Sequence, residues 1–231
     1  MKAIILAAGK ATRLLPLTKN TPQCLLEVNK QTILEYQIKL LRNASIQDVS
    51  VITGFCANKV EKFCQKKKIK TIFNPFYNVS GMALTLWIAK EELKEGFIFL
   101  YSDVLFDSNI ISDLVKQKGD VCLAVKKNDL REEAEKVIEK NGLVERITKE
   151  DIKGENGEFI GIAKFSKEGM QKLMTMLDKI AKKDIKTSFI DVIDNLIMSG
   201  QKVTAHDIKN KRFVDIDFPD DIKKARKTFK D

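Results

Sequence analysis

MKAIILAAGKATRLLPLTKNTPQCLL, residues 1–26, decides how the rest of the chain is read. Lys2–Ala8 is a nearly unbroken apolar run, the pattern of a strand covered on both faces. Gly9, Lys10, Thr12 and Arg13 follow at once, and Pro16 and Pro22 punctuate the loop beyond them. This order puts free backbone N–H groups and a guanidinium at the carboxyl end of a strand, where open α/β sheets hold nucleotide phosphates. Glycine lets neighbouring N–H groups face an anion, and arginine can grip a phosphate with two parallel bonds. The spacing is neither a Walker A loop nor a GxGxxG fingerprint. On spacing alone, a phosphate turn and a plain strand-to-helix turn fit equally well. The apolar run is too short, and Arg13 and Lys19 follow too closely, for a secretory leader.

Outward from this stretch, apolar runs alternate with amphipathic helices. The periodicity predicts helices over 33–41 (capped by Thr32), 58–67 (opened by Asn58), 83–92 and 110–118. It predicts strands over 48–53, 71–74, 96–102 and 121–126. That alternation is an α/β fold with a mainly parallel sheet and helices on both faces. Beyond residue 128 the pattern is mixed. The charged stretch 129–140 reads as helix or loop, and 143–148, 159–165, 203–208 and 213–216 as strands. Residues 167–181 and 188–199 read as helices, and 220–229 as a closing helix capped by Asp220. No repeat or low-complexity linker divides the 231 residues. They fit a single unit, 1–231, with one half over 1–127 and a second, α+β half over 128–231.

Charge and composition exclude several classes of function. The net charge is +9, but the lysines are dispersed and aromatics are few, which argues against nucleic acid and for a small polyanionic substrate. No apolar run reaches the roughly 18 residues that span a bilayer. Cys24, Cys56, Cys64 and Cys122 show no CxxC spacing and there is one histidine, so a zinc site is not expected. Scattered thiols fit a cytoplasmic protein.

Several residues can carry chemistry. Ser102-Asp103, with Asp107 nearby, leaves the end of a buried strand, where one carboxylate suffices to share Mg²⁺ with substrate phosphates. A turn aspartate is the plainer alternative. Asp215-Ile216-Asp217 puts two carboxylates on one side of a strand, uncomfortable without a cation. Glu158, in Gly157-Glu158-Phe159-Ile160-Gly161, is either an acceptor contact or a turn acid, and Lys136 sits in a charge run that equally fits a solvated face. His206 lies far from any Ser or Cys signature, and Trp87 and Phe76 read as core.

Leu6-Ala7-Ala8-Gly9, Arg13, Pro16-Leu17-Thr18, Pro22, Leu25-Leu26 and Val28 resemble the NTP-transferase family pattern LAAGxGxRLxPLTxxxPKxLLxV. The likeness continues through the NPFY turn with Leu86-Trp87, Asp103, the GEFIG segment and the Asp217 region. It implies a Rossmann-like nucleotidyltransferase fold and the reaction NTP + phosphorylated acceptor → NDP-acceptor + pyrophosphate. It also implies site residues. Leu6, Ala7, Ala8, Gly9, Lys10, Arg13, Gln23, Ser80, Gly81 and Ser102 would meet the nucleotide, with Gly81 close to the base. Arg13 and Asp103 would be catalytic, and Asp103 and Asp217 would hold Mg²⁺. Lys136, Glu158 and Gly161 would face the acceptor, with Lys136 toward its phosphate.

Two positions depart from the pattern. Ala11 replaces its second glycine, and Gln23 replaces its lysine, which removes a charge but keeps a donor. Lys10 or Lys19 is placed to compensate. The absence of an appended β-helix or acyltransferase region, and FNPFYN before an LxLW helix, place the chain nearest the small phosphocholine-cytidylyltransferase-like branch. CTP and phosphocholine are then the expected substrates of a monomer or homodimer. A sugar-1-phosphate nucleotidyltransferase is the close alternative, and a nucleotide-binding regulatory protein with weakened catalysis the alternative of another class.

Overall fold

The computed structural model describes residues 1–127, 130–181 and 183–230. The first half comprises β1 (Lys2–Ala7), the short hairpin β2–β3 (Glu27–Val28, Gln31–Thr32), α1 (Ile33–Asn43), β4 (Val49–Thr53), α2 (Ala57–Lys66) and β5 (Lys70–Phe73). It continues through α3 (Met82–Ile88), β6 (Phe97–Tyr101), β7 (Val104–Phe106), α4 (Asn109–Lys116) and β8 (Val121–Lys127). The second half adds β9 (Glu135–Lys140), β10 (Leu143–Thr148), β11 (Gly157–Phe165), α5 (Lys167–Ala181) and α6 (Phe189–Met198). It ends with β12 (Val203–Asp207), β13 (Phe213–Asp215) and α7 (Pro219–Thr228).

One nine-stranded sheet runs through both halves in the order β5-β4-β1-β6-β11-β8-β12-β10-β9, and β9 also pairs with β11. The expected parallel order holds from β5 to β6 and between β8 and β12. β11 is antiparallel to β6, β8 and β9, so the second half closes the sheet with an antiparallel insert.

Alternation along β1 explains the layers. Ile4 and Leu6 join a core under α3, α5 and α6, where Phe99 stacks on Phe189 with ring centroids 3.8 Å apart. Ala3, Ile5 and Ala7 face the opposite core with residues of α1, α2 and α4. Each large side chain fully buried in these cores contributes about 1.5–3 kcal/mol relative to exposure. A smaller cluster of Leu14, Val28, Leu105, Val214, Ile216 and Ile222 ties β13 and α7 back to the N-terminal loop. Residues some two hundred positions apart in sequence therefore share one wall.

Several local expectations change. Thr32 does cap α1, accepting from the Glu35 N–H at 3.2 Å. Helix α2 is not opened by Asn58: its first cap position is Cys56, which adopts a left-handed conformation and makes no side-chain cap bond. Helix α3 ends at Ile88 and passes into a 3₁₀ turn over Lys90–Glu92. The stretch read as helix or loop contains strand β9, because pairing on both β10 and β11 outweighs the helix preference of Glu and Lys. Asp129 lies outside the described residues. Asp220 does not cap α7 but pairs with Lys223, while the Asp221 carboxylate accepts from the N–H groups of Asp217 and Phe218. Phe76 is exposed rather than core, and Trp87 is part-buried with its N–H bonded to Asp178.

Candidate active site

The carboxyl ends of β1 and β6 open into a cleft of about 360 Å³. One wall is the expected turn: Leu6, Ala7, Ala8, Gly9 and Arg13 all line it. The turn is fixed from behind, since the Phe55 N–H donates to the Ala8 carbonyl at 3.0 Å. Ala11, standing where the resemblance has glycine, adopts φ 47° and ψ 54°. That left-handed conformation costs an alanine roughly 1–2 kcal/mol. It is held because the Ala11 carbonyl accepts from both the Thr18 hydroxyl (2.8 Å) and the Leu14 N–H (3.1 Å). Lys10 is exposed and is not among the residues lining the cleft.

Arg13 donates to Glu133 at 3.1 Å and pairs with Asp217. Gln23 lines the same wall and donates to the Ile216 carbonyl, between the two acids of the 215–217 pair. Ser80 and Gly81 line the far side. Gly81 is required by packing: a Cβ there would stand 2.2 Å from the Thr187 carbonyl oxygen. The approach to a base that its glycine suggested is therefore not needed to explain it.

Ser102 and Asp103 follow β6 into the cleft. Asp103 is held by its backbone, whose carbonyl accepts from the Ile216 N–H at 3.0 Å. This bond brings the 215–217 carboxylates beside it. Burial, then Asp215, then Asp217, push the Asp103 carboxyl well above the usual carboxylate range. Burial and Asp217 raise Asp215 to about 6, against the opposing pull of Arg131. Asp103 Oδ1 and Asp215 Oδ1 are buried without a hydrogen-bond partner. Three acids gathered this way are costly unless a cation joins them. Among the described residues no group of three or more His, Cys, Asp or Glu is arranged as a metal cage. Mg²⁺ shared with phosphates asks for one or two protein carboxylates and no cage. The donor set fits such an ion, with Asp103 and Asp215 supplying orphaned oxygens and Asp217 already turned to Arg13. Asp107 is not part of it, since it accepts from Arg212.

The acceptor residues expected from the sequence are distributed differently. Gly161 lines the cleft at φ 76°, where a Cβ would stand 2.6 Å from the Tyr101 ring. Glu158 is 1% exposed and does not line the cleft. It accepts from the Arg131 N–H and Nε at 3.2 Å, and Arg131 lines the cleft instead. Lys136 points away, paired with Asp151. The physical reason is register: β9 pairs antiparallel with β11, and Glu135, not Lys136, takes the cleft-facing position. Tyr101, Glu133, Glu135, Lys149 and Lys186 also line the wall. The sequence reading missed them because each sits in an ordinary charge run or strand end. His206 is part-buried on β12, outside the cleft lining.

A mostly parallel α/β sheet with an open turn after β1, and with Asp103 after β6 brought beside Asp215 of β13, has the architecture of a nucleotide-binding site. Residues 3–172 match the MobA-like NTP transferase domain, and the chain belongs to that family. It is 27% identical over 235 residues to the choline-phosphate cytidylyltransferase of Streptococcus pneumoniae, covering 100% of this chain and 99% of that protein. It is 28% identical over 201 residues to the CTP:phosphoglutamine cytidylyltransferase of Campylobacter jejuni, covering 78% and 79%. Among solved structures, the inositol-1-phosphate CTP transferase from T. maritima superposes with a TM-score of 0.84 at 20% identity, covering 100% of this chain and 96% of that one. Among the described residues no helix is long and apolar enough to cross a membrane.

Proposed function

We propose that this nucleotidyltransferase is a Mg²⁺-dependent cytidylyltransferase. It transfers CMP from CTP to phosphocholine or a similar small phosphorylated alcohol in the cytoplasm. The observation that carries this reading is the unpartnered, buried Asp103 carboxylate oxygen after β6, beside Asp215 and in the cleft that the β1 turn also lines. The relatives that act with CTP supply the base. The backbone of residues 8–9 and Arg13 hold the triphosphate, and Ser80, Gly81, Gln23 and Ser102 wall the nucleotide. Asp103 and Asp215 would hold the metal, which would neutralise charge on the phosphates, with Asp217 within reach once Arg13 turns to the triphosphate. Triphosphate binding draws Arg13 from Glu133 and Asp217. An acceptor phosphate oxygen then bonds to the α-phosphorus as the α–β bridge breaks, and pyrophosphate leaves. Alignment and charge neutralisation supply the rate.

The test is pyrophosphate release with Mg²⁺, crossing CTP, UTP, dTTP, ATP and GTP against phosphocholine, phosphoethanolamine and sugar 1-phosphates. The expected result is turnover with CTP and an amine-bearing acceptor. Turnover with a sugar 1-phosphate alone would replace the acceptor, and nucleotide binding without turnover would favour a binding protein weakened at Gln23.

A further inference from the structure

Beyond Asp103 the cleft holds a buried acid and an exposed base side by side. Glu135 is fixed on β9 opposite Phe159 of β11 and accepts from the Tyr101 hydroxyl at 3.2 Å. Its Oε1 lies 3.5 Å from Lys149 Nζ, with the two side chains 10% and 60% exposed. All four residues line the cleft. The contact is longer than a charge-assisted hydrogen bond. Neither group is saturated, since an ammonium donates three bonds and a carboxylate accepts about four. Arg131 is committed to Glu158 and Asp215, and Lys186 belongs to the segment packed on Gly81 at the nucleotide side.

These contacts constrain the head group of the acceptor. An ammonium alone, bound at Glu135, would face the like charge of Lys149. A trimethylammonium gains nothing from the carboxylate's hydrogen-bonding capacity. The nearby rings are engaged with one another, Tyr101 edge-on to Phe99, Phe159 and Phe189. A head with adjacent ammonium and carboxylate replaces one loose pair by two good ones. Building on the cytidylyl-transfer reading, we infer that the acceptor has a zwitterionic, amino-acid-type head, its ammonium bound by Glu135 and Tyr101 and its carboxylate by Lys149. Burial lifts the Glu135 carboxyl to about 7, so the acid is kept there against its own solvation.

The test is calorimetric binding to the full chain loaded with Mg²⁺ and a non-hydrolysable CTP analogue, with pyrophosphate release measured in parallel. O-phosphoserine and phosphoethanolamine differ by one carboxylate, and phosphocholine is the third probe. Phosphoserine is expected to bind about tenfold tighter than phosphoethanolamine, the worth of one charge-assisted hydrogen bond. Lys149→Met should bring phosphoserine down to phosphoethanolamine, and Glu135→Gln should weaken both, with circular dichroism and analogue binding reporting the fold. Equal binding, tighter phosphocholine, an unchanged ratio in Lys149→Met, or no binding of any probe overturns the assignment. A carboxylate preference without pyrophosphate release keeps the assignment and overturns cytidylyl transfer. Pyrophosphate release without the preference does the reverse.

Discussion

The nucleotide end of the cleft is built largely from one short segment, Leu6, Ala7, Ala8, Gly9 and Arg13, with Gln23 beside it and Ser80 and Gly81 opposite. The acceptor end is made of side chains on or beside β6, β9, β10, β11 and β13, with Arg131 held by Glu158 and Asp215 while Glu135 and Lys149 form a looser pair. A local turn tolerates a change of side chain where its backbone is held, as Ala11, just outside the cleft lining, shows by adopting a glycine-like conformation under two hydrogen bonds. A side-chain wall does not, because removing one member of a buried pair strands the other. The two ends therefore keep a common phosphate chemistry while leaving the acceptor free to differ.

The largest expected effect falls where the two ends meet. Asp103→Asn should lower the rate of pyrophosphate release by about 10²–10³-fold, the usual loss when one electrostatic group of a transfer site is removed. It should also raise the melting temperature measured in EDTA, since it removes one of three crowded, poorly solvated carboxylates. A fall in melting temperature would show that the acid is structural.

Next comes the pair Arg131→Ala and Arg13→Ala, which separates the ends directly. Arg131→Ala leaves Glu158 buried with only a backbone partner, and should cost about 3 kcal/mol in denaturant unfolding. Arg13 is 48% exposed, so Arg13→Ala should change stability by less than about 1 kcal/mol while reducing turnover. Equal stability losses would erase the contrast.

The smallest effect is expected at Gln23. Its amide holds the Ile216 carbonyl, so the wall is complete without a lysine. Gln23→Lys should change kcat by less than about tenfold, the value of one added charge on a hydrogen bond. A larger gain would mean that the native nucleotide end is crippled, and would revive the regulatory alternative.

Legibility in the sequence follows the same division. The β1 turn was readable because its contacts are local: a strand, a glycine and an arginine within thirteen residues. Asp103 was readable because the end of an apolar strand is a fixed place in an α/β sheet. Lys10 stands exposed outside the cleft lining because a turn's side-chain directions depend on dihedrals, and Ala11's left-handed geometry leaves no trace in composition. Lys136 and Glu158 were named for the acceptor, yet Glu135 and Arg131 stand in the cleft. Antiparallel pairing of β9 with β11 sets which neighbour faces inward, and a shift of one residue reverses that choice.

By itself the sequence determined the α/β class and the places of the turn after the first strand and of the acid at a later strand's end, because periodicity and local turn chemistry act over a few residues. Only the tertiary structure decided that Asp215 joins Asp103, that Glu158 serves Arg131, and that Glu135 and Lys149 meet. Those contacts join residues far apart in the chain, and their partners are chosen by sheet register and burial rather than by neighbours in sequence.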